Sequence, residues 1–239
     1  MRLLVSVRDE REAARAVAGG AEIVDAKDPY GGPIAPVRPA VLEAIRSAVP
    51  VRLRVSAALG DVSWPEDVSR AFATLPAGIT FVKLGFLGIR SPARVQALLT
   101  AAVVTAAEHP ARPAVIAVAY ADYGRTGTPA PRAFPSVIAA AGADGLLVDT
   151  AAKEGGHLFD LLAPADLAAI GRQLEADELT FALGGSLRAE HVRAAAETGA
   201  TILGVRGAVC VGGRDGELSE PLVRQLADAV RAERTSTRL

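Results

Sequence analysis

The sequence predicts an α/β fold, a single (β/α)8 TIM barrel. Its length of 239 residues is close to the roughly 250 residues typical of such barrels. Short β-rich runs alternate eight times with Ala-rich helical segments, which favours parallel βα units. Nearly uninterrupted apolar strands indicate a sheet buried on both faces, and an example is VIAVAY in the predicted strand 113–120. No GxGxxG motif follows the first strand, which disfavours an open dinucleotide-binding sheet.

The predicted elements alternate along the whole chain. The predicted strands are 3–7, 22–27, 51–59, 79–86, 113–120, 144–150, 178–185 and 200–207. The predicted helices are 8–20, 38–49, 65–75, 91–109, 130–142, 164–177, 186–199 and 219–234.

Local signals mark several helix ends. Gly19 and Gly20 stop the first helix, Pro65 opens the third, and Ser91 caps the fourth with Pro92 in its first turn. We find no linker, so residues 1–234 are expected to form one domain and residues 235–239 a frayed tail.

Composition excludes several classes of function. The net charge of −1 and an aromatic content of 4% argue against a nucleic-acid partner. No stretch reaches 18 uninterrupted apolar residues, so we expect no transmembrane helix. The apolar run at the N-terminus is too short for a signal peptide, and we therefore expect a cytoplasmic protein. The single cysteine, Cys210, allows no internal disulfide and is expected in the core. His109, His157 and His191 form no metal-binding pattern, and we expect no metal site. A homo-oligomer is left open.

Lysine is rare, and its positions are informative. Of 26 Lys and Arg residues only three are lysine, Lys27, Lys83 and Lys153. Each interrupts or follows a predicted strand near its carboxyl end, where barrel enzymes carry their chemistry. The alternative is a solvated surface lysine, and it is strongest for Lys153, in the loop AAKEGG.

Strand parity brings charged side chains together. Alternate residues of a strand face the same side, so Asp25 and Lys27 share one face, Lys83 shares a face with Gly85, and Asp149 faces inward as well. We therefore predict that Asp25, Lys27, Lys83 and Asp149 converge on one cavity. For the two aspartates a structural salt bridge to the lysines is the alternative to a catalytic role.

Clustered buried lysines suit one kind of chemistry. Burial and positive neighbours lower the pKa of a lysine, so that a neutral amine can attack a carbonyl and form an iminium. A second lysine or an aspartate can then move the proton. Arginine does neither, since it stays protonated.

The last two strand ends predict a phosphate site. Gly184, Gly185 and Ser186 follow the seventh strand, with Ser186 expected at a helix N-terminus, and Arg206 and Gly207 end the eighth. The alternatives are simple tight turns and an Arg206–carboxylate pair. His157 is expected to be a loop residue. Four further residues follow strand ends, and for each we leave open whether it lines the mouth of the barrel or caps a turn. They are Asp61, Tyr120, Asp122 and Arg125.

The motifs, taken together and in order, resemble one family. They are LLVS, IVDAKDP, SAALGD, FVKLG, YAD, LLVDTAAKEGGHLFD, LGGSL and GVRGAVC. From Leu3 to about Cys210 the chain is similar to the (5-formylfuran-3-yl)methyl phosphate synthases, also called 4-(hydroxymethyl)-2-furancarboxaldehyde-phosphate synthases.

The resemblance implies a TIM barrel that condenses two glyceraldehyde 3-phosphates, loses phosphate and water, and serves methanofuran-type cofactor synthesis without a metal or organic cofactor. By motif, Lys27 matches the Schiff-base lysine and Lys83 the proton-accepting lysine. Lys153 and Asp149 match further active-site positions. The loop YGGPIAP (30–36) departs from the family pattern, which leaves any substrate contact there open.

Two other functions remain open at this point. The chain could be another Schiff-base aldolase that makes a different sugar phosphate, and the product would distinguish the two. It could also be a non-catalytic sugar-phosphate binder, although three retained lysines argue against that.

Overall fold

The computed structural model describes residues 1–152 and 156–236. Its core is a closed barrel of eight parallel strands in which each strand pairs with its neighbours in chain order and β8 returns to β1. The strands are β1 Arg2–Val7, β2 Ile23–Ala26, β3 Arg54–Asp61, β4 Phe81–Gly85, β5 Ala114–Tyr120, β6 Gly145–Asp149, β7 Thr180–Leu183 and β8 Ile202–Val205. The predicted fold class is confirmed.

Helices connect the strands on the outside of the barrel. The α-helices are α1 Glu10–Gly19, α2 Pro39–Ala48, α3 Pro65–Phe72, α4 Pro92–Glu108, α5 Tyr123–Thr126, α6 Phe134–Ala141, α7 Leu158–Leu161, α8 Pro164–Ala176, α9 Val192–Glu197 and α10 Glu220–Ser236. Short 3-10 turns lie at Pro131–Ala133, Ala189–His191 and Gly207–Val209.

The predicted helix signals act as expected. Ser91 accepts a hydrogen bond from the amide of Arg94 and Pro92 is the first residue of α4. Gly20 ends α1 in the left-handed conformation, with φ of 96°, which glycine adopts without steric cost. Pro65 opens α3.

The strands divide the apolar side chains into two layers. One layer packs between the strands and the helices and contains Val24, Val82 and Val148, as well as Cys210. The other fills the barrel interior with Leu4, Ile23, Phe81, Ile116, Val118, Leu147 and Ile202. Alternation along each strand separates the layers, so the inward positions that are not apolar mark the site.

Several elements differ from the prediction. The sequence reading missed α5, α7 and a two-strand hairpin after β8, β9 Cys210–Val211 with β10 Glu217–Leu218. The helix expected over 186–199 begins only at the 3-10 turn Ala189–His191, so Ser186 does not lie at a helix N-terminus. Helix α10 continues through Thr235 and Ser236, into the segment expected to be frayed.

Over 1–152 and 156–236, no helix combines the length and the apolar character needed to cross a membrane.

Candidate active site

A cavity of about 250 Å³ opens at the carboxyl ends of the barrel strands. Small inward residues leave this space, because Ser6, Ser56, Ala182 and Gly204 occupy positions that large side chains fill elsewhere in a barrel core. The lower part of the cavity is apolar and includes side chains of the interior layer, namely Leu4, Phe81, Ile116, Leu147 and Ile202. The upper part carries the charged residues.

Lys83 lines this cavity and forms a buried ion pair with Asp25, which lies beside it. Lys83 Nζ lies 2.6 Å from Asp25 Oδ1, and Ser6 Oγ donates a hydrogen bond of 2.7 Å to Asp25 Oδ2. Asp25 is fully buried and Lys83 is 4% exposed. Burial would raise the pKa of Asp25, but the positive charges of Lys83 and Lys27 outweigh it, and its pKa lies below the usual range. Asp25 is therefore a carboxylate at neutral pH.

Lys27 and Asp149 meet on the same cavity from β2 and β6. Lys27 directly follows β2, and its Nζ lies 4.0 Å from Asp149 Oδ2. Both side chains are buried and line the cavity. Asp149 Oδ1 also accepts the amide of Thr150 at 2.7 Å, which fixes the carboxylate at the end of β6. Lys27, Lys83 and Asp149 line the cavity, whereas Asp25 is fully buried beside it and reaches it only through its pair with Lys83.

Lys153 lies outside the described residues, but the chain that leads to it is anchored. Asp122, at the end of β5, accepts the amides of Ala151 at 2.9 Å and Ala152 at 2.8 Å. Of the two roles considered for Asp122, this is the turn-capping one. It fixes the chain just after Asp149.

The loop after β7 presents backbone groups to the cavity. Gly184, Gly185 and Ser186 line it, and Gly185 and Ser186 both have left-handed backbone, with φ of 87° and 57°. A left-handed serine is uncommon and strained, which is a feature of functional loops. Within the part of the chain that the structure describes, the amides of Gly185 and Ser186 donate no hydrogen bond. Such unpaired N–H groups can bind an anion.

Arg206 follows the neighbouring strand β8, and its guanidinium is occupied by protein groups. Its guanidinium contacts both oxygens of Glu12, at 2.8 and 3.3 Å, and donates to the carbonyls of Ser6 and Arg214. Arg206 and Glu12 are both buried. The guanidinium was expected to bind phosphate; the structure instead has the alternative, a pair with a carboxylate. Gly207 still lines the cavity with its backbone.

Arg214 is a cation at the cavity that the sequence reading missed. It follows β9 in the hairpin loop, and its guanidinium donates to the carbonyls of Pro29 at 3.0 Å and Gly32 at 3.2 Å. Burial lowers its pKa and the neighbouring charges of Asp149 and Arg206 act in opposite directions. Arg214 lies in a loop that does not directly follow a barrel strand, so the strand pattern that predicted the other site residues did not point to it.

The loop at 28–37 packs against the barrel interior and against the hairpin loop that contains Arg214. Ile34 is fully buried within the interior layer, and Tyr30 donates a hydrogen bond of 3.2 Å to the Asp215 carbonyl. Together with Arg214 these contacts join this loop to the hairpin loop. The departure of YGGPIAP from the family pattern thus falls on a loop that holds Arg214, a residue of the cavity wall.

Asp61 and Tyr120 form a second polar group beside Ile34. Tyr120 donates to Asp61 Oδ1 at 2.9 Å, and the amide of Leu87 donates to the same oxygen at 3.0 Å. Burial raises the pKa of Asp61 more than these hydrogen bonds lower it, and burial also raises the pKa of Tyr120. Neither residue lines the cavity that contains the lysines as the structure delimits it. Arg125 is exposed on α5.

None of the three histidines lines the cavity that Lys27 and Lys83 line. His157 and His191 stack with ring centres 4.2 Å apart, a contact that sequence spacing did not reveal. Burial and the neighbouring His157 lower the pKa of His191. His109 bonds the carbonyl of Leu75 beneath α4. Among the residues that the structure describes, no group of three His, Cys, Asp or Glu side chains is arranged to hold a metal.

Comparisons with known proteins agree on one family. Residues 3–227 match the family described as 4-HFC-P synthase. The (5-formylfuran-3-yl)methyl phosphate synthase of Methanocaldococcus jannaschii is 36% identical over 232 residues, which cover 95% of this chain and 99% of that protein. The enzyme of the same name from Methanopyrus kandleri is 37% identical, with 96% of this chain and 98% of that protein covered.

Solved structures share the fold at lower identity. The 3-hexulose-6-phosphate synthase of Salmonella typhimurium superposes with a TM-score of 0.66, is 18% identical, and covers 98% of this chain and 100% of that one. Phosphoribosyl anthranilate isomerase from Thermus thermophilus gives a TM-score of 0.59 at 17% identity, with full coverage of both chains. At these identities the likeness establishes the barrel fold alone.

Proposed function

The chain belongs to the 4-HFC-P synthase family, and from this premise we propose that it condenses two glyceraldehyde 3-phosphates to (5-formylfuran-3-yl)methyl phosphate. The observation that carries the proposal is the buried cluster in which Lys27, Lys83 and Asp149 line one cavity and Asp25 pairs with Lys83 beside it. We call these four residues the lysine cluster. The sum of two triose phosphates exceeds the product by one phosphoric acid and two waters, so the reaction needs no oxidant or reductant.

Lys27 is the proposed nucleophile. One triose phosphate isomerises to the ketone, and the neutral Lys27 amine attacks its carbonyl, so that water leaves and an iminium forms. The second triose phosphate loses a proton from its middle carbon and then its phosphate, and the terminal carbon of the resulting enol adds to the iminium carbon. This bond to the middle carbon of the ketone gives the branched skeleton of the product, and the Lys27 amine leaves when the ring closes and loses water. Attack by the Lys27 amine on the ketone releases a proton at the amine. Asp149, 4.0 Å from the Lys27 amine, can hold the proton released there.

Lys83 and Asp25 form the proposed proton-transfer unit. The 2.6 Å ion pair fixes the position of the Lys83 amine beside the cavity, and the Ser6 hydrogen bond holds Asp25 in place. Phosphate elimination, ring closure and dehydration each need a proton moved at a carbon or oxygen. A structural salt bridge was the alternative to a catalytic role for Asp25. The two are compatible, since the salt bridge positions Lys83 for proton transfer. Lys153 keeps its proposed place as a further active-site residue.

Two backbone turns and one arginine are the proposed phosphate site. Gly185 and Ser186 line the cavity and their amides are free to bind an anion, Gly184 allows close approach on the same loop, and Gly207 lines the cavity after the neighbouring strand β8. Arg214 supplies the positive charge that was expected of Arg206. A phosphate held at this rim leaves the carbonyl carbon of a triose to reach the amines below.

We propose that the product serves methanofuran-type cofactor synthesis in the cytoplasm and that the substrate is a diffusible triose phosphate, with no nucleic-acid or membrane partner. The proposed steps use an amine, acids and bases only, and so call for no cofactor.

The test is incubation with glyceraldehyde 3-phosphate alone, followed by mass spectrometry and furan absorbance. We expect the furan aldehyde phosphate, and borohydride added during turnover should leave a reduced adduct on Lys27. The Lys27→Arg variant should fold and lose at least about a thousandfold in kcat, because arginine forms no iminium. A linear aldol without furan absorbance would support a different Schiff-base aldolase. Trapping on another lysine would refute the role of Lys27, and binding without turnover in both proteins would support a non-catalytic binder.

A further inference from the structure

Ser56 is a buried hydroxyl without a partner that lines the candidate active site. It lies on β3, between Asp25 of β2 and Phe81 of β4 in the barrel register. The residue is 1% exposed, and among the described residues its Oγ takes part in no hydrogen bond. It nevertheless lines the cavity shared by Lys27 and Lys83.

Ser6 provides a direct comparison within the same barrel. It lies on β1, on the other side of Asp25, and its hydroxyl donates to Asp25 Oδ2 at 2.7 Å. The two serines therefore flank the same carboxylate, but only Ser6 is satisfied by the protein. Burying a hydroxyl without a partner costs free energy, and an alanine in its place would avoid that cost. The next inward position of β3, Ala58, is such an alanine.

The surroundings of Ser56 indicate what it binds. Below it the cavity is apolar, with Phe81, Ile116 and Leu147 among its walls, and beside it lies the anionic Asp25. An anionic group is disfavoured next to this carboxylate, whereas a neutral carbon chain with an oxygen atom fits both surfaces. Adjacent strands are about 4.8 Å apart, so a molecule bonded to Ser56 lies within reach of the lysine cluster.

We propose that the Ser56 hydroxyl binds a hydroxyl or carbonyl oxygen on the carbon skeleton of the triose phosphate held at Lys27. This inference rests on the proposed function and extends it. It gives the substrate a direction, with the phosphate at the rim and the oxygen-bearing chain toward the barrel floor. Ser56 then positions the reacting carbon against the amines of the lysine cluster.

The experiment compares Ser56→Ala with Ser56→Thr, Ser6→Ala and the surface control Ser136→Ala. We measure the melting temperature without substrate and kcat and KM for glyceraldehyde 3-phosphate. For Ser56→Ala we expect a melting temperature equal to or above that of the wild type and a kcat/KM about tenfold lower, because one hydrogen bond to the substrate is lost. Ser56→Thr keeps the hydroxyl and should recover most of that loss.

The controls separate substrate binding from structure. Ser6→Ala should lower both the melting temperature and kcat/KM, since it removes a bond within the folded protein, and Ser136→Ala should change neither. Wild-type kcat/KM in Ser56→Ala would refute the inference, as would a drop in melting temperature that matches that of Ser6→Ala.

Failure of the proposed function has its own signature. If the wild type makes no furan phosphate, that function fails, and Ser56 is tested by the rise in melting temperature that glyceraldehyde 3-phosphate causes. A smaller rise in Ser56→Ala than in the wild type supports binding at Ser56. Equal rises, or none in either protein, overturn it.

Discussion

Two buried groups of charged side chains lie at the barrel mouth, and they use different cations. The Arg206–Glu12 pair joins β8 to α1, and the guanidinium also bonds the carbonyls of Ser6 and Arg214. In the lysine cluster, Lys83 meets Asp25 at 2.6 Å and Lys27 approaches Asp149 at 4.0 Å. Both groups border the same cavity.

The difference follows from the chemistry of the two cations. A guanidinium has five donors in a rigid plane and stays protonated, so it can fix several acceptors at once. An ammonium is compact and can lose its proton when buried, so it can serve as nucleophile or base. We infer that the arginine pair builds the wall of the site and the lysine cluster performs its chemistry.

Removal of Arg206 should have the largest effect on stability. Arg206→Ala leaves Glu12 buried beside unsatisfied carbonyls, and we expect a loss of about 3–5 kcal/mol in the free energy of unfolding. Urea unfolding measures it. The matched control is Arg193→Ala, since its pair with Glu197 is exposed on α9 and should contribute little. An equal loss of unfolding free energy in the two variants would mean that the Arg206–Glu12 pair does not stabilise the wall of the site.

Gly184→Ala should act on the lysine cluster with a smaller effect on stability. A Cβ at this position would lie 3.1 Å from Cγ and 3.2 Å from Oδ1 of Asp149, so the carboxylate must shift by a few tenths of an ångström. We expect kcat to fall about tenfold, because small displacements of reacting groups are costly, while the free energy of unfolding changes by about 1 kcal/mol.

Gly124→Ala is the control for that substitution. A Cβ there meets no atom within 4 Å, and the residue is exposed on α5. Steady-state kinetics and urea unfolding of both variants give the answer. A Gly184→Ala variant that is unstable but fully active per folded molecule would place Asp149 in the wall rather than in the chemistry.

Strand parity made the lysine cluster predictable from the sequence. It did not predict the residues of the cavity wall or their partners. Asp25, Lys83 and Asp149 lie on strands and Lys27 directly follows one, so alternation fixes the direction of each side chain. Arg206 also ends a strand, but its partner Glu12 is 194 positions away on α1, and no local pattern links the two. Arg214 and Ile34 lie in loops, whose paths depend on contacts with each other rather than on periodicity.

Two buried aspartates offer the last and smallest test of the comparison, through the pH dependence of stability. Asp25 lies beside two cations and its pKa is below the ordinary value of 3.8, whereas Asp61 has a hydroxyl and an amide as partners and its pKa is above 3.8. Asp25 therefore contributes stability that is present above pH 3.8 and is lost as pH falls toward its lower folded pKa. Asp61 has the opposite sign, because the folded state holds its proton above pH 3.8 and stability declines as pH rises through that range.

Urea unfolding from about pH 3 to pH 7 should show both signs. Asp25→Asn should flatten the loss of stability at acid pH and lower stability at neutral pH, since Lys83 is left buried without its carboxylate. Asp61→Asn keeps an oxygen for Tyr120 and Leu87, and its stability relative to the wild type should rise as pH increases past 3.8. Because asparagine keeps the size and one oxygen of the carboxyl group, both effects should be smaller than that of Arg206→Ala, which removes a whole buried side chain. Parallel pH curves for the two variants would mean that the lysines do not set the charge of Asp25, and the cluster would then lack the coupling that its proposed proton transfer requires.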